Sequence, residues 1–215
     1  RNIIRKDKWK FLIFLILSSN IFSLCFTGWY KSSLCLGYGK MKFPLFEYPS
    51  FRYELDDWEF KKKSLLNRIN KQKFIRTDMQ NFETDRQTHR NSYLNFLVDF
   101  LRPTLEEFCE EAEVSCKMTD AWCVRYQKGD HQIIHNHRSW GFSGILYVDY
   151  DPEVHTPTTF MAPWQDPRTD RTLLVHPPLV KEGVIFISPS YTHHYVEPNN
   201  TDKIRIVVAF DLLPQ

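Results

Sequence analysis

The sequence predicts a mostly β fold: a β-sandwich, barrel or jelly roll with N-terminal helices packed outside it. Three observations predict it. Two stretches of helical periodicity precede residue 115, and about eight short stretches rich in β-branched and aromatic residues follow it. The 215 residues suffice for one domain with a sizeable core. Aromatic residues make up 15% of the chain, which suits a β-rich core or an aromatic-lined pocket.

Residues 1–40 differ from the rest. They carry seven Lys or Arg against one acid, Asp7, and an apolar run from Phe11 to Phe26. That run is short for a bilayer span and is broken by Ser18, Ser19, Asn20 and Ser23. Three readings follow: upstream sequence ahead of a start at Met41, a signal peptide or membrane anchor, or a structured helix. The first places the protein in the cytoplasm. The second makes it membrane-anchored or secretory, and only a retained 11–26 segment would give it a membrane partner. Residues 41–215 are expected to form a single domain, with helical support over 53–114 and the jelly-roll core over 119–213.

The elements follow in order. Tyr53–Gln72 has mixed charge and apolar residues at helical spacing, which predicts a helix. In Asn91–Val114, Leu94, Phe96, Leu97, Phe100 and Leu101 form an apolar stripe, and Pro103 is expected to break or kink the region into two helices. Predicted strands are 121–127, 132–137, 142–150, 158–162, 172–176, 184–188, 193–197 and 203–212, punctuated by Gly, Pro, Asn and Asp. Residues 163–171 read as a loop over a pocket that Trp140, Phe142, Trp164, Tyr191 and His193 would rim.

Composition removes several function classes. The chain is 42% hydrophobic and 25% charged, which excludes collagen, low-complexity disorder and a polytopic membrane protein. Five Cys without a CxxC pair indicate neither a disulfide framework nor a cysteine zinc site. Beyond residue 40 the formal charge is −4, so a basic nucleic-acid-binding surface is unsupported and nucleic acid is an unfavoured partner.

Seven of the eight histidines lie in the strand-rich half. His135 and His137 are two apart on a predicted strand, so both rings point to one face and can take adjacent positions on one metal. His194 is the best third ligand. His193, its neighbour, is the alternative, because the adjacent pair points to opposite faces of a strand and only one should face inward. His89, His131, His155 and His176 read as ordinary surface or core histidines.

These residues carry a resemblance. Tyr126, Gly129, His135 and His137 resemble the Y-x-x-G-x(5)-H-x-D/E opening of Fe(II)/2-oxoglutarate oxygenases. Ser143–Asp149 resembles the tyrosine-bearing strand that follows, with Tyr147 in place. Gly183, Phe186, Pro189, Ser190, His194, Val196, Pro198 and Arg205 are similar to its distal end. The overall shape is closest to the oxygenases of phage and marine-microbe type, in which H-x-H replaces H-x-D; prolyl-hydroxylase-like enzymes are the next relatives.

The resemblance implies a double-stranded β-helix (a cupin-like jelly roll) with N-terminal helices packed outside, and Fe(II) on His135, His137 and His194 as the catalytic and metal-binding residues. It implies 2-oxoglutarate held by Arg205, with Tyr147 and Tyr126 donating hydrogen bonds. Ascorbate would be an auxiliary reductant. The implied reaction consumes O2 and hydroxylates a peptidyl side chain or small metabolite, releasing succinate and CO2. His137 stands where relatives carry an acid, which leaves the metal uncompensated by a protein ligand; Asp130 or Asp149 would be the stand-in carboxylates. Two further readings stay open. One is a three-His cupin-like dioxygenase that does not use 2-oxoglutarate. The other is a non-catalytic, metal-stabilised binding module.

Overall fold

A computed structural model describes residues 49–76, 81–88 and 93–215. The leader, anchor and Met41 readings fall outside the described residues, as does His89. No helix among the described residues is long and apolar enough to cross a membrane.

All eight predicted strands form. They are β3 (Cys116–Tyr126), β4 (Gln132–His135), β5 (Phe142–Asp149), β6 (Thr159–Asp166), β7 (Arg171–Val175), β8 (Val184–Pro189), β9 (His194–Val196) and β10 (Arg205–Pro214). Two short ones join them, β1 (Phe51–Glu54) and β2 (Glu83–Thr84). The strands build two antiparallel sheets. The major sheet runs β1-β8-β5-β10-β3-β2 and the minor sheet β4-β9-β6-β7. This matches the double-stranded β-helix that the resemblance implies.

β10 shows how the layers arise. Eight of its ten residues are buried, on both faces of the strand. Ile206, Val208, Phe210 and Leu212 join the core under the helices, whereas Val207 and Ala209 join a second core around Tyr126 and Tyr147. The period of two therefore sends alternate residues to the helix layer and to the interior between the sheets. The helix layer is α1 (Trp58–Ile69) and α2 (Leu94–Glu111). Leu65 and Ile69 of α1, with Leu97, Leu101 and Phe108 of α2, are fully buried against Met118, Leu146, Ile185 and Val208 of the major sheet.

Three expectations are corrected. Pro103 does not divide the second helical region; α2 is one helix of 18 residues. Proline forfeits one backbone hydrogen bond, but Leu97, Leu101, Thr104 and Phe108 on either side all bury on one face, and that packing holds the helix together. The first helix starts at Trp58 rather than Tyr53, because Asp57 takes a left-handed conformation (φ 53°) and the residues before it pair with β8 as β1. Residues 163–171 are no loop over a pocket: Pro163–Asp166 lies in β6, which pairs antiparallel with β7 across a tight turn.

Candidate metal centre

β4 and β9 pair so that His135 stands directly opposite His194. Cross-strand partners on one face bring their side chains within contact distance. The rings of His135 and His194 lie 4.3 Å apart between centroids. A register shift between Gln132 and His135 bulges β4. The bulge turns Ile133 and Ile134 out to solvent and lets Gln132 and His135, three apart, both face the cavity. β4 ends at His135, so His137 lies just beyond the strand rather than on it. It reaches the same place because its backbone N–H donates to Ser190 O at 2.9 Å. One ring nitrogen from each of His135, His137 and His194 lies within 4.8 Å of the others.

Hydrogen bonds set the tautomers. His135 Nδ1 is 2.9 Å from Ile133 O, and His194 Nδ1 is 3.0 Å from Thr192 O. A carbonyl only accepts, so Nδ1 carries the proton in both rings and Nε2 keeps its lone pair. Gln132 Nε2 points at His135 Nε2 from 3.1 Å, as a donor does toward a lone pair. His137 Nδ1 is 2.7 Å from Asp211 Oδ1 on β10. The Trp122 ring leans over His137 with centroids 5.4 Å apart, and the Arg86 guanidinium lies over the far face of Trp122 at 3.8 Å.

Burial favours the neutral form of His135 and His194. Burial pushes the His194 pKa down to about 3, and the neighbouring His135 adds to the shift. Burial also lowers the His135 pKa. For Asp211, burial works against the charge, but the His137 and Ser143 hydrogen bonds and the nearby Arg86 outweigh it and hold the carboxyl below its ordinary range. The set is thus two preorganised, proton-free nitrogen donors plus a third imidazole backed by a carboxylate, which is donor chemistry suited to a divalent zinc, iron, copper or nickel ion.

The far side of the interior holds a cation. Arg205 opens β10 directly opposite Tyr126 on β3 and is 2% exposed. Its Nη2 donates to Thr158 Oγ1 at 3.0 Å, while Nε and Nη1 have no partner. The rings of Tyr126, Tyr147 and Tyr150 surround the guanidinium at 5.0, 5.7 and 5.9 Å. No acidic side chain pairs with it among the described residues. A buried guanidinium without an acidic partner is costly, and its unused N–H groups suit an anion such as a carboxylate. Tyr126 donates to Gln132 Oε1 at 2.7 Å, and Tyr147 Oη accepts the Thr158 N–H at 3.3 Å.

The remaining expected residues separate. Asp130 is held by Arg76 at 2.7 and 2.6 Å, and Asp149 lies 3.4 Å from Lys62; neither joins the histidines. Phe142 packs edge-on against Phe51 and Phe108 in the helix-side core, so it rims nothing. Trp140, Trp164, Tyr191 and His193 are exposed and do not line the cavity between the sheets. His155 is satisfied by Asp151 N–H and Lys203 O, each at 3.0 Å. Thr158, Gln132 and Asp211 belong to the site and escaped the sequence reading. Asp211 did leave a signal: it follows Arg205, Val207 and Ala209 at strand spacing, so it shares their inward face.

A family model described as "Putative 2OG-Fe(II) oxygenase" matches residues 120–211, from β3 into β10. Over those residues the chain is similar to the 2OG-Fe(II) oxygenases, whose cofactors are iron and 2-oxoglutarate. The chain also resembles solved structures in fold. One is SnoN, a non-heme alpha ketoglutarate dependent epimerase from nogalamycin biosynthesis, at TM-score 0.58 and 13% identity over 76% of each chain. Another is HygX from Streptomyces hygroscopicus, whose structure holds nickel, 2-oxoglutarate and hygromycin B. It gives TM-score 0.58 and 11% identity over 77% of this chain and 83% of HygX. A prolyl-4-hydroxylase from Pseudomonas putida gives TM-score 0.55 and 10% identity over 78% of this chain and 94% of that one. No curated protein matches this chain in sequence.

Proposed function

We propose that this chain is a 2OG-Fe(II) oxygenase that hydroxylates a peptidyl side chain or a small metabolite with release of succinate and CO2. In this reading Nε2 of His135, His137 and His194 holds Fe(II), and Arg205 with Thr158 holds the far carboxylate of 2-oxoglutarate. Tyr126 and Tyr147 wall the same end. Bound iron and 2-oxoglutarate supply the oxidative chemistry by activating O2 toward a C–H bond. The protein's part is to orient and to exclude water. The Nδ1 hydrogen bonds fix each ring, and Gln132 must swing off His135 Nε2 as the metal enters. Trp122, Phe160 and Val196 keep the cavity apolar.

The single observation that carries this reading is the pair of idle Arg205 donors buried behind Tyr126 and Thr158, both of which line the cavity that the imidazoles share. A three-His dioxygenase that does not use 2-oxoglutarate has no need of that cation, and neither has a metal-stabilised binding module. The −4 charge beyond residue 40 argues against a nucleic-acid substrate.

The test begins with anaerobic Fe(II) protein and 2-oxoglutarate, which should give the weak visible charge-transfer band of the chelate. A screen of peptides and metabolites for Fe(II)-dependent succinate release then searches for substrate. His135→Ala and His194→Ala should each lower turnover by roughly 100-fold or more. Arg205→Ala should raise the KM for 2-oxoglutarate by roughly 10- to 100-fold with metal content intact. Retained turnover in either histidine variant, or an unchanged KM in the arginine variant, contradicts the assignment.

A further inference from the structure

Three neutral imidazoles bring no negative charge to a dication. The structure places a carboxylate one hydrogen bond further out. Asp211 Oδ1 accepts the His137 Nδ1–H at 2.7 Å, and the acid is 1% exposed. Ser143 Oγ donates to the same oxygen at 2.9 Å, and Ser190 Oγ lies 2.8 Å from Ser143 Oγ. The backbone of that same Ser190 accepts the His137 N–H at 2.9 Å. His137 is therefore gripped twice, at its ring by Asp211 and at its main chain by Ser190, and Ser143 ties the two grips together. On the outer side, Arg138 Nε stands 3.7 Å from Asp211 Oδ2.

Neither His135 nor His194 has such a partner, since both lean on neutral backbone carbonyls. Asp211 meets His137 at Nδ1, and Nε2 leaves the ring in another direction, so the carboxylate is no ligand itself. We infer that Asp211 is a positioning residue which delivers, through His137, the negative charge that the ligand set lacks, and which holds Nε2 toward the metal. The inference rests on the metal reading proposed above. A carboxylate behind a ligating histidine raises its basicity and fixes its orientation, with typical effects of roughly 10- to 100-fold on metal affinity.

The experiment titrates Co(II) into the metal-free full chain by calorimetry and visible absorption. Asp211→Asn keeps an acceptor for His137 but removes the charge. It should weaken Co(II) binding by roughly 10- to 100-fold and shift the cobalt bands, with the melting temperature of the metal-free protein nearly unchanged. In a His137→Asp background the sign should reverse. There a carboxylate ligates directly and is repelled by Asp211, so adding Asp211→Asn should tighten binding. A residue that merely supports the strand would weaken binding in both backgrounds, and that result overturns the inference.

A measurement on unaltered protein guards against a misfolded variant. In the zinc-loaded chain, nitrogen-15 NMR should show His137 metallated at Nε2 with an Nδ1 proton shifted further downfield than those of His135 and His194. Three equivalent Nδ1 protons overturn it as well. If wild-type protein takes up no Co(II), the metal reading and this inference fall together. If wild type binds, His135→Ala does not, and Asp211→Asn matches wild type, only the inference falls.

Discussion

His194 is the most enclosed of the three imidazoles, and its enclosure has a thermodynamic consequence. The folded state keeps it neutral down to pH values near its lowered pKa of about 3, because burial and the adjacent His135 both oppose a charge. The unfolded chain takes up that proton below about pH 6.5. Stability from this group is therefore fully present above pH 6.5 and is lost as pH falls toward 3. Between pH 7 and pH 5 the loss from His194 alone is about 2 kcal/mol. Urea unfolding of metal-free wild type and His194→Phe at the two pH values checks it. Wild type should lose more stability than the variant by about that amount, and equal losses would contradict the proposed cause. At this scale the sequence disclosed the imidazoles and Arg205, because a lone Arg in RIVVAF and an H-x-H pair stand out against their surroundings. Gln132 and Thr158 were not legible. They enter the site through a β-bulge and a loop approach, and neither leaves a periodic trace.

Among the elements, the contact between β5 and β10 is the tightest constraint on the site's geometry. Gly144 pairs directly with Phe210, and a Cβ at Gly144 would sit 2.1 Å from the Phe210 ring. The neighbouring positions Ser143 and Asp211 form the network behind His137. Gly144→Ala should destabilise by about 3 kcal/mol or more, since this core offers no room to relax. Adding Phe210→Leu should recover a substantial part of that loss, and thermal unfolding of the two variants measures it; a double variant as unstable as Gly144→Ala alone would mean the clash is elsewhere. The eight strands from β3 to β10 were legible because β-branched and aromatic runs met Gly and Pro stops. β1 and β2 were not. β1 is four residues long and β2 two, and each earns its conformation by pairing at a sheet edge rather than by its own pattern. The Pro103 error has the same origin in reverse, since burial on both sides of the proline overrides a local preference.

Across the whole molecule the two sheets differ in support. The major sheet is backed by α1 and α2, whereas the minor sheet ends in β7, exposed along its full length. The proposed site draws on both sheets. His135 and His194 stand on the minor sheet, and Arg205, Tyr126 and Asp211 on the major one. A metal and a dicarboxylate bound between them would cross-link a well-buttressed layer to a poorly buttressed one. Local opening is cheapest where buried contacts are fewest, so the unliganded protein should exchange amide hydrogens fastest in β4, β9, β6 and β7. Adding Co(II) with 2-oxoglutarate should slow exchange in β4 and β9 by roughly tenfold or more, since a ligand that binds only the closed form suppresses opening by mass action. The α2 helix, remote from the ligands, should change little. Hydrogen exchange read by mass spectrometry at peptide level separates the outcomes. Protection spread evenly over both sheets and α2 would indicate general stabilisation. Protection confined to the major sheet would mean that the imidazoles of β4 and β9 do not take part in binding.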